Sequence, residues 1–445
     1  MKRRSFLFLT ILIVLLGLSD CEKEDSPVIF GEYTSSNTSI SIPGQSHQRM
    51  KIAVMPGLSY LDPSLMLDCL GEGSDFREVL STDNVIEEFC EPILNKALLQ
   101  LQVEKPDLLL IPGELTFNGE KISHEALAQK LKKISEKGIK VFVIPGNKDI
   151  NNPKAMAYIG NGSTPTPSIT PEEFEIVYKN FGFKGAISRD PVSLSYLTPA
   201  FDNVWILGID ARIYPITSTG RINPDTMKWI KDWLAIAQEQ NITVLPICHH
   251  AVTEQWVDEA IYGPAYVIKD HSAVETALTD AGLRIIFTAT ANDITMFSNG
   301  DKELYDISTG LLLSPPFPYR IITIDPNLMN IETRHITSIN AKIPGHLDFL
   351  DYSYNYYLEN MTRYFINVFK ISYGLPVGTP ETPHTAAYYA PYFAKALHAF
   401  YCGDEQIPLE EKELSDTWPF PYGFAFQSLY SDLPPCDEQY TINMK

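Results

Sequence analysis

The sequence predicts a protein of the α/β class with neighbouring parallel strands, and three consecutive segments carry this prediction. Residues 108–111 form a short, fully apolar run, as expected of a strand that is buried on both faces. A helical pattern follows, with its apolar stripe over residues 127–134. A second apolar run occupies residues 141–144. Strand, helix and strand in this order predict one βαβ unit with its two strands parallel.

Polar residues directly follow both predicted strands, and they are the first candidates for a functional site. Glu114 follows the first strand, and Asn147, Lys148 and Asp149 follow the second. Because the carboxyl ends of parallel strands meet at one edge of a sheet, we expect the two turns to lie side by side. Open α/β sheets bind ligands at this edge.

Length and charge narrow the functional classes. A chain of 445 residues with 44% apolar content can bury the core of one large domain and support an appendage. Its formal net charge of −20 argues against nucleic acid and anionic membrane surfaces as partners, since phosphate groups would be repelled.

The amino terminus predicts export. A basic start at residues 1–4 precedes an apolar run at 6–18, which is typical of a secretory signal and too short to span a membrane. The run ends at Leu-Ser-Asp-Cys, which resembles the cleavage site of a bacterial lipoprotein. We therefore interpret residues 1–20 as a lipoprotein signal peptide and Cys21 as the lipidated residue. Plain cleavage with secretion is the alternative.

The residues after Cys21 predict where the protein resides. Residues 22–25 are similar to the acidic tag that sends some Gram-negative lipoproteins to the outer surface. We therefore expect a protein that is lipid-anchored in the outer membrane or at the cell surface of a Gram-negative bacterium. Residues 26–48 are rich in Ser, Thr, Gly and Pro without periodicity, so we interpret residues 21–48 as a flexible tether.

The cysteine count predicts at least one free thiol. Five cysteines follow Cys21, and an odd number cannot all be paired within one chain. Cys248 belongs to an apolar strand and is the expected free thiol. The pairings left open are Cys402 with Cys436 and Cys69 with Cys90.

The strand–turn pattern resembles the calcineurin-like metallophosphoesterases, in the branch related to cyclic-nucleotide phosphodiesterases. That family has Gly-Asp after the first of these strands and Gly-Asn-His-Asp after the second. This chain has Gly-Glu at 113–114 and Gly-Asn-Lys-Asp at 146–149. The resemblance extends over residues 50–435 and implies a sandwich of two mixed β-sheets flanked by helices. It places a metallophosphoesterase-like domain at residues 49–340 and a helical C-terminal segment at 341–445.

The resemblance also implies two metal ions, which in this family bind the phosphate and activate water. An Asp-x-His motif that binds metal in the family falls on Gly57 and Ser59 here. A later Gly-His-x-His motif is replaced by Ala289 and Thr290, in a loop that is two residues shorter. These four positions have lost their metal ligands, so the first metal site of the family cannot be built.

Three residues remain as candidate ligands of a single divalent metal: Mn, Zn or Fe. Glu114 keeps a carboxylate with one extra methylene, Asn147 keeps an amide oxygen, and His249 follows the strand at 243–248. His250 is the weaker candidate of the two histidines.

Lys148 occupies the position of the family's catalytic histidine. Lysine is an unsuitable acid at neutral pH unless it is desolvated, and an ordinary surface lysine is the competing interpretation. We expect its ammonium group to reach Glu114 and to replace the lost metal charge. No residue is therefore assigned as catalytic.

The C-terminal segment predicts two aromatic helices, over 354–368 and 388–401. Their aromatic stripes predict helix-to-helix packing rather than a ligand groove.

These observations support one leading hypothesis and one alternative. The leading hypothesis is a cell-surface lipoprotein that keeps the metallophosphoesterase fold without its activity and binds a ligand or a protein partner. The alternative is an active phosphoesterase or phosphodiesterase that uses one residual metal site on a phosphoester substrate.

Overall fold

The computed structural model describes residues 49–212, 219–325, 328–403 and 405–443. The predicted signal peptide, Cys21 and the tether lie outside the described residues. No helix in the described ranges is both long enough and apolar enough to span a membrane.

The strands follow the apolar runs of the sequence. In chain order they are β1 (Met50–Val54), β2 (Met66–Leu67), β3 (Leu108–Pro112), β4 (Lys140–Ile144), β5 (Met156–Ile159), β6 (Gly162–Pro165), β7 (Ser188–Arg189), β8 (Tyr196–Phe201), β9 (Val204–Ile209), β10 (Thr243–Cys248), β11 (Ile285–Thr290), β12 (Ile294–Asn299), β13 (Lys302–Gly310), β14 (Pro318–Ile324), β15 (Leu328–His335) and β16 (Gln439–Asn443).

The helices connect these strands and form most of the C-terminal segment. In chain order they are α1 (Asp75–Leu80), α2 (Cys90–Glu104), α3 (Lys121–Ser135), α4 (Pro171–Val177), α5 (Pro224–Glu239), α6 (Glu259–Tyr262), α7 (His271–Asp280), α8 (Phe349–Ser372), α9 (Ala386–Cys402), α10 (Leu409–Ser415) and α11 (Tyr422–Ser428). Shorter helical turns lie at Pro63–Leu65, Glu87–Phe89, Lys179–Phe183 and Pro344–His346.

One sheet contains the βαβ unit that the sequence predicts. Its strand order is β16-β15-β14-β1-β3-β4. The strands β1, β3 and β4 run parallel, whereas β14, β15 and β16 are added in antiparallel fashion. The helix α3 joins β3 to β4, and its apolar stripe is buried as predicted.

The second sheet is mixed in the same way. Its order is β12-β13-β11-β10-β9-β8-β7, with β13, β11, β10 and β9 parallel in the middle. The outer strands β12, β8 and β7 pair antiparallel. A separate small sheet is formed by β2, β5 and β6.

The two large sheets pack face to face, with β3 and β4 of the first against β9, β10 and β11 of the second. The phenol of Tyr196 on β8 crosses this interface and donates a hydrogen bond to the carbonyl of Val143 at 2.9 Å. Gly208 on β9 makes the close approach feasible, because a Cβ there would lie 2.6 Å from the Tyr196 ring. The predicted α/β sandwich of two mixed sheets flanked by helices is confirmed.

Local sequence signals set the beginnings of the helices. Thr170 accepts a hydrogen bond from the Glu173 N–H while the Glu173 carboxylate accepts one from the Thr170 N–H, which closes a capping box at α4. At α5, the side chain of Asn223 caps the first turn and Pro224 occupies the first helical position.

The C-terminal segment is helical as predicted, and its aromatic stripes are packed together. The facing helices α8 and α9 form a separate apolar cluster that includes Tyr357, Phe393 and Trp418. The chain then returns to the first sheet, where β16 pairs with β15. The C-terminal segment is therefore joined to the sandwich by a strand as well as by packing.

Cys69, Cys90, Cys248 and Cys402 are free thiols. Cys248 is buried, as expected. The two disulfide pairings that the sequence left open are therefore not formed.

Candidate functional site

The ends of β3, β4 and β10 meet at one edge of the sandwich, as the sequence predicts. Gly113 makes this meeting sterically feasible: it has φ +86°, and a Cβ there would lie 2.6 Å from Nδ1 of His249 and 2.8 Å from Cα of Gly146. A larger residue would force the three turns apart. Glu114, Asn147, Lys148 and His249 all follow directly from these strand ends.

Glu114 and His249 form a buried pair. The Nε2 atom of His249 lies 3.2 Å from Oε1 of Glu114, and their side chains are 4% and 8% exposed, respectively. The Nδ1 atom of His249 donates to the carbonyl of Pro112 at 3.0 Å, which directs Nε2 towards the carboxylate. Burial opposes both charges. The contact with His249 nevertheless lowers the pKa of Glu114, and the contact with Glu114 raises the pKa of His249.

The two oxygens of Glu114 have different surroundings. Oε1 also accepts the backbone N–H of Lys148 at 3.0 Å, whereas Oε2 is buried with no hydrogen-bond partner among the described residues. Glu114 has φ +46°, a conformation that non-glycine residues rarely adopt. A strained backbone and an unsatisfied oxygen are more common at functional sites than elsewhere.

The expectation that the ammonium group of Lys148 pairs with Glu114 is wrong. Its Nζ atom lies 3.8 Å from Oδ2 of Asp83, and the side chain is 40% exposed. The charge of Asp83 is the main cause that raises the pKa of Lys148. Lys148 contacts Glu114 through its backbone, and the direct counter-charge of Glu114 is His249.

Asn147 and His250 lie together on the other side of the turn. The Nδ2 atom of Asn147 donates to Nε2 of His250 at 3.0 Å. Gly220 packs against the His250 ring, because a Cβ there would lie 2.2 Å from Nδ1. His250, the weaker candidate from sequence, is therefore a direct partner of Asn147.

The turn after β1 has no room for a metal ligand at its first position. Gly57 has φ +63°, and a Cβ there would lie 2.5 Å from Cβ and 2.7 Å from Cα of Leu311. Since backbone atoms of Leu311 occupy this space, no rotation of the leucine side chain could admit an aspartate. Ser59 is buried at φ +36°, and its N–H donates to the carbonyl of Glu114 at 2.9 Å.

Ala289 and Thr290, which the sequence placed in a shortened loop, are the last two residues of β11 in the structure. Ala289 is fully buried, and its N–H donates to the carbonyl of His249 at 3.1 Å. Thr290 has φ +101°, which is a strained value for a β-branched residue. Its hydroxyl oxygen is buried and has no hydrogen-bond partner in the described part of the chain. Neither of these two strand residues presents a nitrogen ligand.

The residues present do not fit two metal ions. Glu114 offers the unsatisfied Oε2, His249 offers Nε2, and Asn147 offers an amide oxygen. The four other positions, Gly57 and Ser59 after β1 and Ala289 and Thr290 at the end of β11, have no donor side chain of the required kind. The remaining donors are sufficient for one divalent ion at most.

Sequence reasoning missed three acidic residues beside Lys148. Glu87 and Glu120 are fully buried, and Asp83 holds the ammonium group. Burial raises the pKa of Glu120 to about 7, with the charge of Asp149 adding to the shift. Burial and the charge of Asp83 raise the pKa of Glu87 well above its usual range. No sequence signal marks them, because buried and solvated acids look alike in a loop.

Asp149 has a structural role in holding two turns together. Its carboxylate accepts backbone N–H groups from Leu115 at 3.0 Å, Thr116 at 2.9 Å and Gly146 at 2.7 Å. These bonds join the turn after β3 to the turn after β4.

Known proteins are similar to this chain in three-dimensional structure but not in sequence. The sequence matches no protein-family model and no curated protein. A dimetal phosphatase from Danio rerio is similar to this chain at a TM-score of 0.43 and 12% identity, over 66% of this chain and 96% of the phosphatase. A purple acid phosphatase from yellow lupin is similar at a TM-score of 0.39 and 11% identity, over 67% of this chain and 53% of the lupin protein. The Plasmodium protein GAP50 is named as the anchor in the inner membrane complex. It is similar at a TM-score of 0.35 and 10% identity, over 70% of this chain and 94% of GAP50.

Two of these proteins are named as phosphatases. The similarity is distant, and the functional argument for this chain depends on its own residues.

Proposed function

We propose that this protein is a catalytically degenerate homologue of the metallophosphoesterases that binds a ligand or a protein partner at the cell surface. The observation that carries the proposal is the contact between Gly57 and Leu311. The first ligand position of the family lacks a side chain, and the backbone of Leu311 fills the adjacent space. The missing ligand at Gly57 is therefore accompanied by a change in the packing of the turn, and one substitution could not restore the metal site.

The electrostatics of the site support the same proposal. His249 and Lys148 supply positive charge where the family uses metal ions. His249 neutralises Glu114 directly, and Lys148 pairs with Asp83. A buried carboxylate without a counter-charge would cost several kcal/mol, so this arrangement lets the pocket fold without metal.

The groups that remain suit binding better than hydrolysis. Lys148 is partly exposed and can donate hydrogen bonds to an anionic or polar group. Its pKa is raised by Asp83, so it stays protonated at neutral pH and is a poor general acid.

The cellular location in this proposal depends on the amino terminus. Cys21 in its lipoprotein-like context would carry the lipid, and the tether 21–48 would hold the domain away from the membrane. The net charge of −20 is consistent with a domain that does not lie on an anionic surface.

The test measures metal content and turnover of the purified mature protein. We expect substoichiometric Mn, Fe and Zn by elemental analysis and no hydrolysis of an aryl phosphodiester with added Mn²⁺ or Zn²⁺. Lys148→His should not restore turnover, because the turn at Gly57 still excludes the first metal. Two well-occupied metals at this edge, or metal-dependent turnover above that of the buffer, would overturn the proposal.

One observation favours the alternative of a single-metal phosphoesterase. Oε2 of Glu114 is buried and unsatisfied beside Nε2 of His249, as it would be if one ion bound both groups. Turnover that is lost in both Glu114→Gln and His249→Ala, with one metal per chain, would establish this alternative.

A further inference from the structure

A group of aspartates joins the loop after β11 to the C-terminal segment, away from Glu114 and His249. Asp293 lies between β11 and β12, and Asp432 and Asp437 lie between α11 and β16. One carboxylate oxygen from each lies within 4.8 Å of the others. Asp293 is 1% exposed and Asp437 is fully buried, whereas Asp432 is half-buried. Repulsion between carboxylates this close together is costly when two of them are buried, and a shared cation or shared protons would reduce it.

The carboxylate of Asp293 has an unused oxygen. Its Oδ1 accepts the hydroxyl of Thr295 at 2.8 Å, whereas its Oδ2 is buried with no hydrogen-bond partner among the described residues. Burial and the charges of Asp437, Asp432 and Glu405 raise the pKa of Asp293 well above its usual range. A buried, unsatisfied oxygen that faces other carboxylates points to a bound cation.

The backbone around the group is held in place independently of any ion. The N–H of Ile294 donates to Oδ1 of Asp437 at 2.7 Å. The buried guanidinium of Arg320 donates to the carbonyls of Asp437 at 2.6 Å and Asp293 at 3.3 Å. Gly403 packs against this junction, where a Cβ would lie 2.8 Å from Cβ of Asp437. The carboxylates are therefore brought together by a rigid scaffold.

We propose that Asp293, Asp432 and Asp437 bind a calcium ion that fastens the C-terminal segment to the loop after β11. The donors are all carboxylate oxygens, which hard divalent cations prefer to the nitrogen and sulfur ligands of zinc or copper sites. Calcium suits the site better than magnesium, because it accepts an irregular set of oxygens and gives up its water more readily. This site is separate from the proposed function, and either could fail without the other.

The ion would act on the stability of the C-terminal segment. It would bind two residues that precede β16 and one that belongs to the sandwich, so it would resist detachment of the last strand. A ligand that binds only the folded state stabilises that state in proportion to its concentration relative to Kd.

The test is thermal unfolding of the full mature chain in calcium, in magnesium and in EDTA. We expect Tm to rise by about 3 °C or more when calcium is present at about one hundred times Kd, with a smaller rise in magnesium. Asp293→Asn and Asp437→Asn should abolish the rise. In EDTA Asp293→Asn should unfold no earlier than the wild type, because the amide removes repulsion without changing the size of the side chain. Asp202→Asn, at an exposed turn, should keep the full calcium response.

Direct binding keeps the proposal falsifiable if a variant fails to fold. Calorimetric titration of the wild type with calcium chloride should show one site per chain. If calcium gave no heat of binding and left Tm unchanged, the proposal would be overturned. The carboxyl groups would then share protons instead of a cation. A calcium response that is unchanged in both aspartate variants, or a stronger response to magnesium, would overturn it as well.

Discussion

The Nε2 atom of His249 lies 3.2 Å from Oε1 of Glu114, so a histidine and a carboxylate contact each other directly at the edge where the resembled family binds metal. The sequence suggested Lys148 for the role of counter-charge. The backbone explains the difference. Lys148 uses its N–H on Glu114, and its side chain leaves the turn towards Asp83.

Breaking this buried pair should be costly. We expect Glu114→Gln to lower the free energy of unfolding by about 3 kcal/mol, because the buried ion pair with His249 is lost and burial then favours the neutral imidazole. Chemical denaturation near neutral pH measures this loss. A double-mutant cycle with His249→Phe should show strong coupling, and additive effects would contradict the pairing. Glu136→Gln is the control, since it removes an exposed pair with Lys132 and should change little.

Gly57→Ala should separate steric exclusion from backbone strain. The added Cβ would lie 2.5 Å from Cβ of Leu311, so we expect a loss of about 3 kcal/mol or more in the free energy of unfolding. Gly73→Ala is the matched control: its φ of +75° is similar, and nothing lies within 4 Å of the added Cβ. Its loss should be about 1 kcal/mol, from backbone strain alone. Denaturation midpoints measure both losses. If Gly57→Ala and Gly73→Ala lowered the midpoint equally, Leu311 would not block position 57.

Glu87→Gln should stabilise the protein in a pH-dependent way. Burial and Asp83 raise the pKa of Glu87, although Lys148 opposes the shift, so the folded state retains a proton that the unfolded chain releases. Stability therefore falls as the pH rises above the ordinary carboxyl pKa, until Glu87 ionises in the folded state as well. Glutamine removes this effect. The variant should be more stable than the wild type at about pH 8 and equal to it at about pH 4.

Unfolding curves at both pH values check this expectation, with Glu72→Gln as an exposed control that should match the wild type throughout. A stability gain for Glu87→Gln that is the same at both pH values would rule out proton release as its cause.

Cys21→Ala should release the protein from membranes. In the proposed lipoprotein the lipid is attached to this thiol, so its removal should leave the protein without its anchor. Fractionation of cells followed by immunoblotting measures the change. Cys436→Ala, which removes an exposed thiol of the folded domain, should remain in the membrane fraction. A Cys21→Ala protein that still sediments with membranes would contradict the lipoprotein interpretation.

The chain order of the core could be predicted because its signals are local. The apolar runs that became β3 and β4, the stripe of α3 and the caps at Thr170 and Asn223 each lie within a few residues. Each of these signals depends on steric or hydrogen-bonding rules that act over one or two turns of chain. The side-by-side turns at Glu114 and Asn147 followed from the rule that parallel strands end at one edge.

The sequence by itself determined the α/β class, the positions of the polar turns and the side chains present at Gly57, Ser59, Ala289 and Thr290, where the resembled family has metal ligands. Only the tertiary structure decided how the remaining groups are paired. It placed His249 against Glu114, Lys148 against Asp83, Leu311 against Gly57, and Asp293 beside two aspartates of the C-terminal segment. Each of these contacts joins residues from different parts of the chain, and which side chains meet depends on how the sheets and the C-terminal segment pack. Periodicity and spacing carry no information about such meetings, because they describe neighbours along the chain.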